Sequence, residues 1–196
     1  MMLLKRRPLL LLLTILLLLP VPLASGKGAR IGHRWNSPVI RVYDYTGPRW
    51  HGVIAQTVAD ANAILPRRGP RIVYRRMDAR PCEGLRAREG VIIVCERATW
   101  PYGWHAGVAF PIAQHGVITK ARVEFAATID YQPDEFAPVA CHEVIGHAVL
   151  GLPDGPWRAP GESCVQGEQA APGTWDAAQA QALYGRKPNR HRGHHR

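Results

Sequence analysis

Residues 141–154, which read CHEVIGHAVLGLPD, constrain this chain more than any other stretch. His142, Glu143, His147 and Asp154 bring two imidazoles and two carboxylates into thirteen residues. Imidazole and carboxylate are ligands that Zn²⁺ binds, and a catalytic zinc takes three protein ligands and leaves a fourth position for water. A glutamate beside the first histidine could remove a proton from that water. The segment therefore predicts a zinc hydrolase.

The two histidines lie five residues apart, one more than in the usual H-E-x-x-H zinc-protease pattern. In an ideal α-helix four steps leave two side chains about 40° apart, whereas five steps leave them about 140° apart. His142 and His147 could not then share a metal ion. One extra residue taken up as a π-bulge would restore the geometry, and Gly146 would ease that distortion because it lacks a Cβ atom. We predict a helix that is locally π-wound between Val144 and His147.

Other interpretations of these side chains stay open at the level of sequence. The two histidines could be surface residues of an amphipathic helix. Glu143 and His147 are four residues apart, so they could bind a metal with Asp154 while His142 stands aside. Asp154 could merely cap a turn, but it is the best third ligand because no histidine lies between His147 and the tail. The remaining histidines before the tail are interpreted as structural: His33, His51, His105 and His115.

The longer run H-E-…-G-H-A-…-L-G-L-P-D resembles the metzincin zinc metallopeptidases, in particular the small secreted matrixin-like and snapalysin-like types. The resemblance assigns His142, His147 and Asp154 as metal ligands. It assigns Glu143 as the catalytic base, and Gly151 as the sharp turn that brings the third ligand back to the metal. It therefore implies a zinc-dependent endopeptidase.

The resemblance also implies a fold. That fold is an α+β, metzincin-like zincin domain with a twisted, mostly parallel sheet, an antiparallel edge strand, a long first helix, an active-site helix and a C-terminal helix. The resemblance covers residues 39–185, and residues 122–154 carry its specific part. Two features depart from the family pattern. The gap from His147 to Asp154 is seven residues where the family has six, and the family's methionine turn has no counterpart in residues 162–167.

Hydrophobic periodicity gives the order of elements without reference to any family. Alternating, β-branched runs predict strands, and helical spacing of apolar residues predicts helices. The order is β, α, four strands, α, loop and α, which is typical of an α+β domain with one sheet. The predicted strands are 39–45, 71–77, 90–95, 108–112 and 119–130, and the predicted helices are 50–65, 134–151 and 174–185.

The first 26 residues have the pattern of a secretory signal. Three basic residues at 5–7 precede a leucine-rich run over 9–19, and the small residues at 24–26 offer a cleavage site. A run of about eleven apolar residues is short for a transmembrane helix, which takes ~20, so an uncleaved anchor is the alternative. We predict a secreted, extracellular protein composed of a signal peptide (1–26), a short N-terminal arm (27–38), a metallopeptidase-like domain (39–185) and a basic disordered tail (186–196).

The net charge of +10 is concentrated at the two ends of the chain. Residues 1–26 carry +3 and residues 186–196 carry +5, which leaves +2 for the part between them. A nearly neutral body argues against a nucleic-acid binder, which would carry clustered positive charge on a folded face. The basic tail could contact anionic cell-surface polymers. The expected partner is a protein or peptide substrate, and we expect a monomer.

Four cysteines in an exported chain indicate two disulfides. Cys82 and Cys95 flank a polar loop and could close it. Cys141 directly precedes His142, so a bridge to Cys164 would pin the loop below the metal to the ligand helix. The alternative, in which cysteines bind the metal, lacks any C-x-x-C pair.

The function predicted from these features is a secreted endopeptidase in which Zn²⁺ activates water and Glu143 acts as general base. An edge strand at residues 108–112 would hold an extended peptide by backbone pairing. Two alternatives come from other classes. One is a catalytically inactive, metzincin-like secreted binding module, and the other is a cell-wall amidase that uses the same metal chemistry.

Overall fold

The computed structural model describes residues 32–155, 161–165 and 169–185. The predicted signal peptide, the first residues of the predicted arm and the predicted tail lie outside the described residues. The described part is an α+β fold with one mostly parallel sheet and three helices, as predicted. The strands are β1 (Arg34–Trp35), β2 (Val39–Asp44), β3 (Arg71–Arg76), β4 (Val91–Arg97), β5 (Gly107–Gln114) and β6 (Val117–Ala126). The helices are α1 (Pro48–Ile64), α2 (Phe136–Ala140), which continues as a π-helical segment over Cys141–Val149, and α3 (Thr174–Tyr184).

The sheet runs in the order β3, β2, β4, β6, and these four strands are parallel. The central strand β4 begins VIIVC, and all five of these residues are buried, as expected for a parallel strand covered on both faces. Among the described residues β5 pairs only with β6, and this pairing is antiparallel. The prediction of a mostly parallel sheet with an antiparallel edge strand is thus confirmed.

The main core lies between the sheet and the helices. Trp50 of α1 is fully buried and stacks on Phe125 of β6 with 3.9 Å between ring centroids. The opposite face of the sheet carries a smaller cluster built on Val91 and Ile93 and on the Cys82–Cys95 disulfide. This predicted disulfide closes the loop between β3 and β4, so both faces of the central strands are covered.

A short strand, β1, extends the sheet beyond what the sequence predicts. The sequence places residues 27–38 in a polar arm, yet Arg34 and Trp35 pair in parallel with the start of β6. Trp35 is 3% exposed, and its indole N–H donates to the carbonyl of Ala148 at 2.9 Å. Two residues are too few for an alternating pattern, so only the tertiary contacts reveal the strand.

Two predicted elements end elsewhere in the structure. Strand β6 runs over Val117–Ala126, whereas the sequence predicts 119–130. The predicted helix over 134–151 starts later, at Phe136, and most of it is π-helical. The apolar run after β6 leaves the sheet at a turn, where Tyr131 is buried and its hydroxyl accepts the N–H of Ala126. In the described part of the chain no helix has the length and apolar character needed to cross a membrane.

Candidate metal centre

The π-helical segment Cys141–Val149 carries both candidate histidines. The π-type hydrogen bonding continues one residue beyond Val149, because the N–H of Leu150 donates to the carbonyl of Ile145, five residues back, at 2.9 Å. Hydrogen bonds between residues five apart bring side chains five apart onto one face. The predicted π winding is therefore confirmed, and it extends well beyond the predicted stretch from Val144 to His147.

Three donor atoms converge beside this segment. The Nε2 atoms of His142 and His147 are 3.0 Å apart. Oδ1 of Asp154 lies 3.4 Å from the first of them and 3.2 Å from the second. The structure thus brings together the three side chains that the sequence proposes as ligands, and Glu143 is not part of the group. Asp154 is 81% exposed and the two histidines are 29% and 14% exposed, so the group opens to solvent on the aspartate side.

The spacing of the donors fits a small tetrahedral cation. Ligand bonds of about 2.0–2.2 Å in a tetrahedral zinc site place neighbouring donors about 3.3–3.6 Å apart. The three separations between donors here, 3.0, 3.2 and 3.4 Å, are close to that range. Two imidazoles and one carboxylate are also a ligand set known from catalytic zinc sites. The residues present therefore fit Zn²⁺.

A backbone carbonyl fixes the orientation of the His147 imidazole. Nδ1 of His147 donates to the carbonyl of Leu152 at 2.6 Å. A proton held on Nδ1 leaves the lone pair on Nε2, which is the form that binds a metal. Burial, followed by the neighbouring His147, lowers the pKa of His142, which also favours the neutral ring.

Gly151 forms the turn that leads back to Asp154. Its φ of +58° is a left-handed conformation, and its N–H donates to the carbonyl of His147 at 3.0 Å. A Cβ atom here would lie 2.7 Å from the Cβ of His33. Glycine is therefore needed for both conformation and space, and the sharp turn implied by the resemblance is present.

Glu143 lies between the π-helical segment and the edge strand β5. It is only 7% exposed, and its Oε2 has no hydrogen-bond partner among the described residues. A Cβ atom at Gly107, the first residue of β5, would lie 2.8 Å from its Cγ. Burial raises the pKa of Glu143 to about 8, and the charge of Asp154 adds to the increase. The carboxyl group is thus enclosed beside β5.

The floor below the histidines is made by a turn in the loop that the sequence predicts below the metal. Residues 161–165 lie under the π-helical segment, and the predicted Cys141–Cys164 disulfide joins the two with 5.5 Å between Cα atoms. Val165 packs directly against Gly146, and a Cβ atom at Gly146 would overlap Cγ2 of Val165. The lack of a Cβ atom at Gly146 therefore leaves room for Val165 below the helix, and it also eases the π winding of the helix.

Adding a methyl group at Gly146 is expected to destabilise the protein. Overpacking of this kind costs about 3 kcal/mol at the upper end. Alanine gains about 1 kcal/mol over glycine in a helix, so the expected loss for Gly146→Ala is about 2 kcal/mol. Guanidinium chloride unfolding followed by tryptophan fluorescence, with disulfides intact, measures it. The control is the same substitution made in Val165→Ala, where the smaller side chain leaves room for the methyl group. There, Gly146→Ala should lower the free energy of unfolding by less than it does in the wild type. A wild-type unfolding midpoint for Gly146→Ala would contradict the packing described.

The four histidines interpreted as structural lie outside the metal group. His51 Nδ1 is 2.8 Å from Oδ2 of the buried Asp44, and the ring of His105 stacks on Trp104. His115 occupies the β5–β6 turn with a φ of +50°. None of them contributes a donor to the group formed by His142 and its partners.

Comparisons with models of known protein families and with curated protein sequences find no match to this chain.

Proposed function

We propose that this protein is a secreted, metzincin-like endopeptidase that uses Zn²⁺ and the general base Glu143 to hydrolyse peptide bonds. One observation carries the proposal: the donor atoms of His142, His147 and Asp154 converge to within 3.0–3.4 Å of one another, and the next residue after His142 is a buried glutamate. A chance cluster of surface histidines would require neither the π winding nor the backbone carbonyl that orients the His147 imidazole.

The protein groups have distinct roles in the proposed reaction. His142, His147 and Asp154 would hold the ion through Nε2, Nε2 and a carboxylate oxygen. When bound, Zn²⁺ would acidify a water molecule and polarise the carbonyl of the scissile bond. Glu143 would take a proton from the attacking water and pass it to the leaving amine. Its enclosed position beside β5 would keep that proton from bulk solvent.

The edge strand supports an extended peptide as the substrate. β5 pairs with β6 on one side, and among the described residues no strand pairs with its other side. A Cβ atom at Gly107, the first residue of β5, would lie 2.8 Å from Cγ of Glu143, so this strand lies directly beside the proposed base. A peptide that adds to β5 by main-chain hydrogen bonds would therefore cross the site next to Glu143.

Export is part of the proposal because disulfides persist in oxidising compartments. Both cysteine pairs are bridged, and no free cysteine is found in the described residues. The predicted signal peptide agrees with this location. The nearly neutral charge of the body continues to favour a protein or peptide partner over nucleic acid.

Zinc analysis of the full chain tests the proposal. We expect one tightly bound Zn²⁺ per chain, with cleavage of casein that 1,10-phenanthroline abolishes and added Zn²⁺ restores. His147→Ala should lose the tightly bound ion, because it removes one of three ligands. His115→Ala is the matched control, because this exposed histidine lies outside the group, and it should keep the ion.

Other results would point to the alternative functions. A chain that binds no zinc would contradict the proposal and favour the non-catalytic binding module. A zinc-loaded chain that leaves casein and a peptide library intact but releases peptides from peptidoglycan would favour the amidase. All variants keep the histidine-rich tail, so weak binding there contributes equally to every measurement.

A further inference from the structure

The free side of β5 is apolar and is flanked by exposed side chains. The strand reads GVAFPIAQ and contains no charged residue, although natural proteins commonly protect edge strands with charges. Within the described ranges, the exposed large apolar side chains are Trp104, which is 87% exposed, and Ile112. The first lies three residues before β5 and the second lies within it. A single exposed apolar side chain needs no explanation, but two along one edge indicate a binding surface.

The segment that leads into β5, residues 99–106, is fixed to the sheet near both of its ends; we call it the aromatic loop. Near its start, the ring of Tyr102 contacts the ring of Phe110 in β5, with 5.7 Å between centroids. At its end, the hydroxyl of the buried Tyr131 donates to the carbonyl of Ala106. The tip of the aromatic loop therefore has a defined position beside the edge strand.

Trp104 and His105 form a stacked pair at this tip. Their ring centroids are 4.2 Å apart, and their planes are inclined by 19°. Both side chains are exposed, so the face of the indole that points away from the imidazole is open to solvent. Packing on the imidazole restricts the indole before any ligand arrives, which lowers the entropy that binding costs. A preorganised, exposed tryptophan is the kind of side chain that dominates the energetics of binding surfaces.

The stacked pair is close to Glu143 along the backbone. Gly107 follows His105 by two residues, and a Cβ atom at Gly107 would lie 2.8 Å from Cγ of Glu143. Because three residues of backbone span at most about 11 Å, the Cα atom of Trp104 lies within that distance of Gly107. An extended peptide that pairs with the start of β5 can therefore place one of its side chains on the indole.

Pro111 favours pairing at this end of the strand. Proline has no N–H, and in an edge strand its nitrogen faces away from the sheet. A ladder of hydrogen bonds on the free side of β5 is thus interrupted at Pro111. The uninterrupted part next to Glu143 is residues 107–110, whereas Ile112 lies beyond the interruption.

We propose that Trp104, supported by His105, binds a large apolar side chain of a peptide that pairs with β5, within about three residues of the scissile bond. An aromatic or leucine side chain has the apolar surface that matches the open face of an indole. The placement relative to the scissile bond rests on the proposed function, whereas binding of the peptide does not require hydrolysis. Trp104 thus determines specificity without contacting the reacting atoms.

Cleavage of a peptide series tests the proposal. Each peptide consists of alanine, glycine and glutamine, with one phenylalanine that is moved along the sequence or replaced by alanine. The wild type should cut at a fixed distance from the phenylalanine. Its kcat/KM should exceed that for the alanine peptide by about tenfold, the low end of the range for one apolar group in a pocket, because the indole covers the side chain from one side only.

Trp104→Ala should bring the ratio of these two kcat/KM values close to one, and Trp104→Phe should keep part of the preference. Trp104 is exposed, so its replacement should leave the fold intact. Ile112→Ala is the matched control, because it also shortens an exposed apolar side chain of this edge but lies beyond Pro111. It should keep the preference of the wild type.

A binding measurement separates this proposal from the proposed function. Fluorescence anisotropy of the end-labelled peptides, with Glu143→Gln or with an inactive wild type, reports binding without hydrolysis. A wild type that cleaves no peptide would defeat the peptidase, whereas tighter binding of phenylalanine peptides that Trp104→Ala abolishes would still support the binding surface.

Three results would overturn the proposal. One is a preference for phenylalanine that is unchanged in Trp104→Ala, and another is an equal loss of that preference in Trp104→Ala and Ile112→Ala. The third is binding of N-acetylglucosamine oligomers that depends on Trp104, without any preference for phenylalanine, which would assign the indole to a sugar ligand instead.

Discussion

Glu143→Gln is expected to lower kcat/KM for casein or peptide hydrolysis by about 10²–10⁴-fold, the usual contribution of a general base. Glutamine has the shape of glutamate but cannot take up a proton from water. Glu143 is buried beside β5 and is not part of the three-donor group, so zinc content should stay at one ion per chain. Steady-state rates and metal analysis on the same preparation measure both quantities.

Glu135→Gln is the matched control for this prediction. It makes the same chemical change at an exposed position just before the same helix, where the carboxylate accepts the N–H of Gln132. Its rate should remain within about twofold of the wild type, since surface changes usually have small effects. Full activity in Glu143→Gln would remove Glu143 from the mechanism, and loss of zinc in that variant would assign it a role as ligand instead.

Glu124→Ala is expected to lower the free energy of unfolding by about 3 kcal/mol, the lower end of the range for breaking a buried ion pair. Glu124 is fully buried and binds Arg97 through Nε at 2.5 Å and Nη2 at 2.9 Å. Arg122 Nε lies 2.7 Å from the same carboxylate. The bond to Glu124 holds the pKa of Arg97 above its ordinary value. Without that partner Arg97 still stays charged, because a guanidinium does not lose its proton in proteins.

The lower end of the range applies because Arg97 and Arg122 are 19% and 33% exposed and can reach water after the change. Chemical unfolding with disulfides intact gives the value. Glu83→Ala is the control, since Glu83 binds the same Arg97 at 3.1 Å but is 47% exposed. Exposed pairs contribute about 0–1 kcal/mol, so equal effects of the two variants would show that burial of Glu124 does not matter.

The features predicted from the sequence are those set by local spacing. Two histidines five residues apart can share a metal only if the helix is π-wound, and the structure has that winding. Cysteines at 82 and 95 flank one loop, and they are bridged. The proline at position 111 predicts that the strand over 108–112 lies at an edge, because proline cannot donate to a ladder, and β5 pairs only with β6 among the described residues.

The supports of the site were not predictable in the same way. Ser163, Val165 and Asp176 belong to no recognisable motif, yet the hydroxyl of Ser163 and the N–H of Cys164 donate to the buried Asp176 at 2.7 and 2.9 Å. Their contacts form only because the turn over residues 161–165 passes under the π-helical segment, which lies about twenty residues earlier in the chain. β1 escaped prediction for a related reason, since a strand of two residues is defined by its partner rather than by its own sequence.

The sequence by itself determined which groups could bind a cation and how the helix between the histidines must wind, because both follow from side-chain chemistry and from the rotation per residue. Only the tertiary structure decided that Asp154 meets these histidines, that Glu143 is enclosed by β5, and that Asp176 holds the turn below the π-helical segment. These contacts join residues from separate elements. They depend on burial and on hydrogen bonds between segments that packing brings together, which no local pattern encodes.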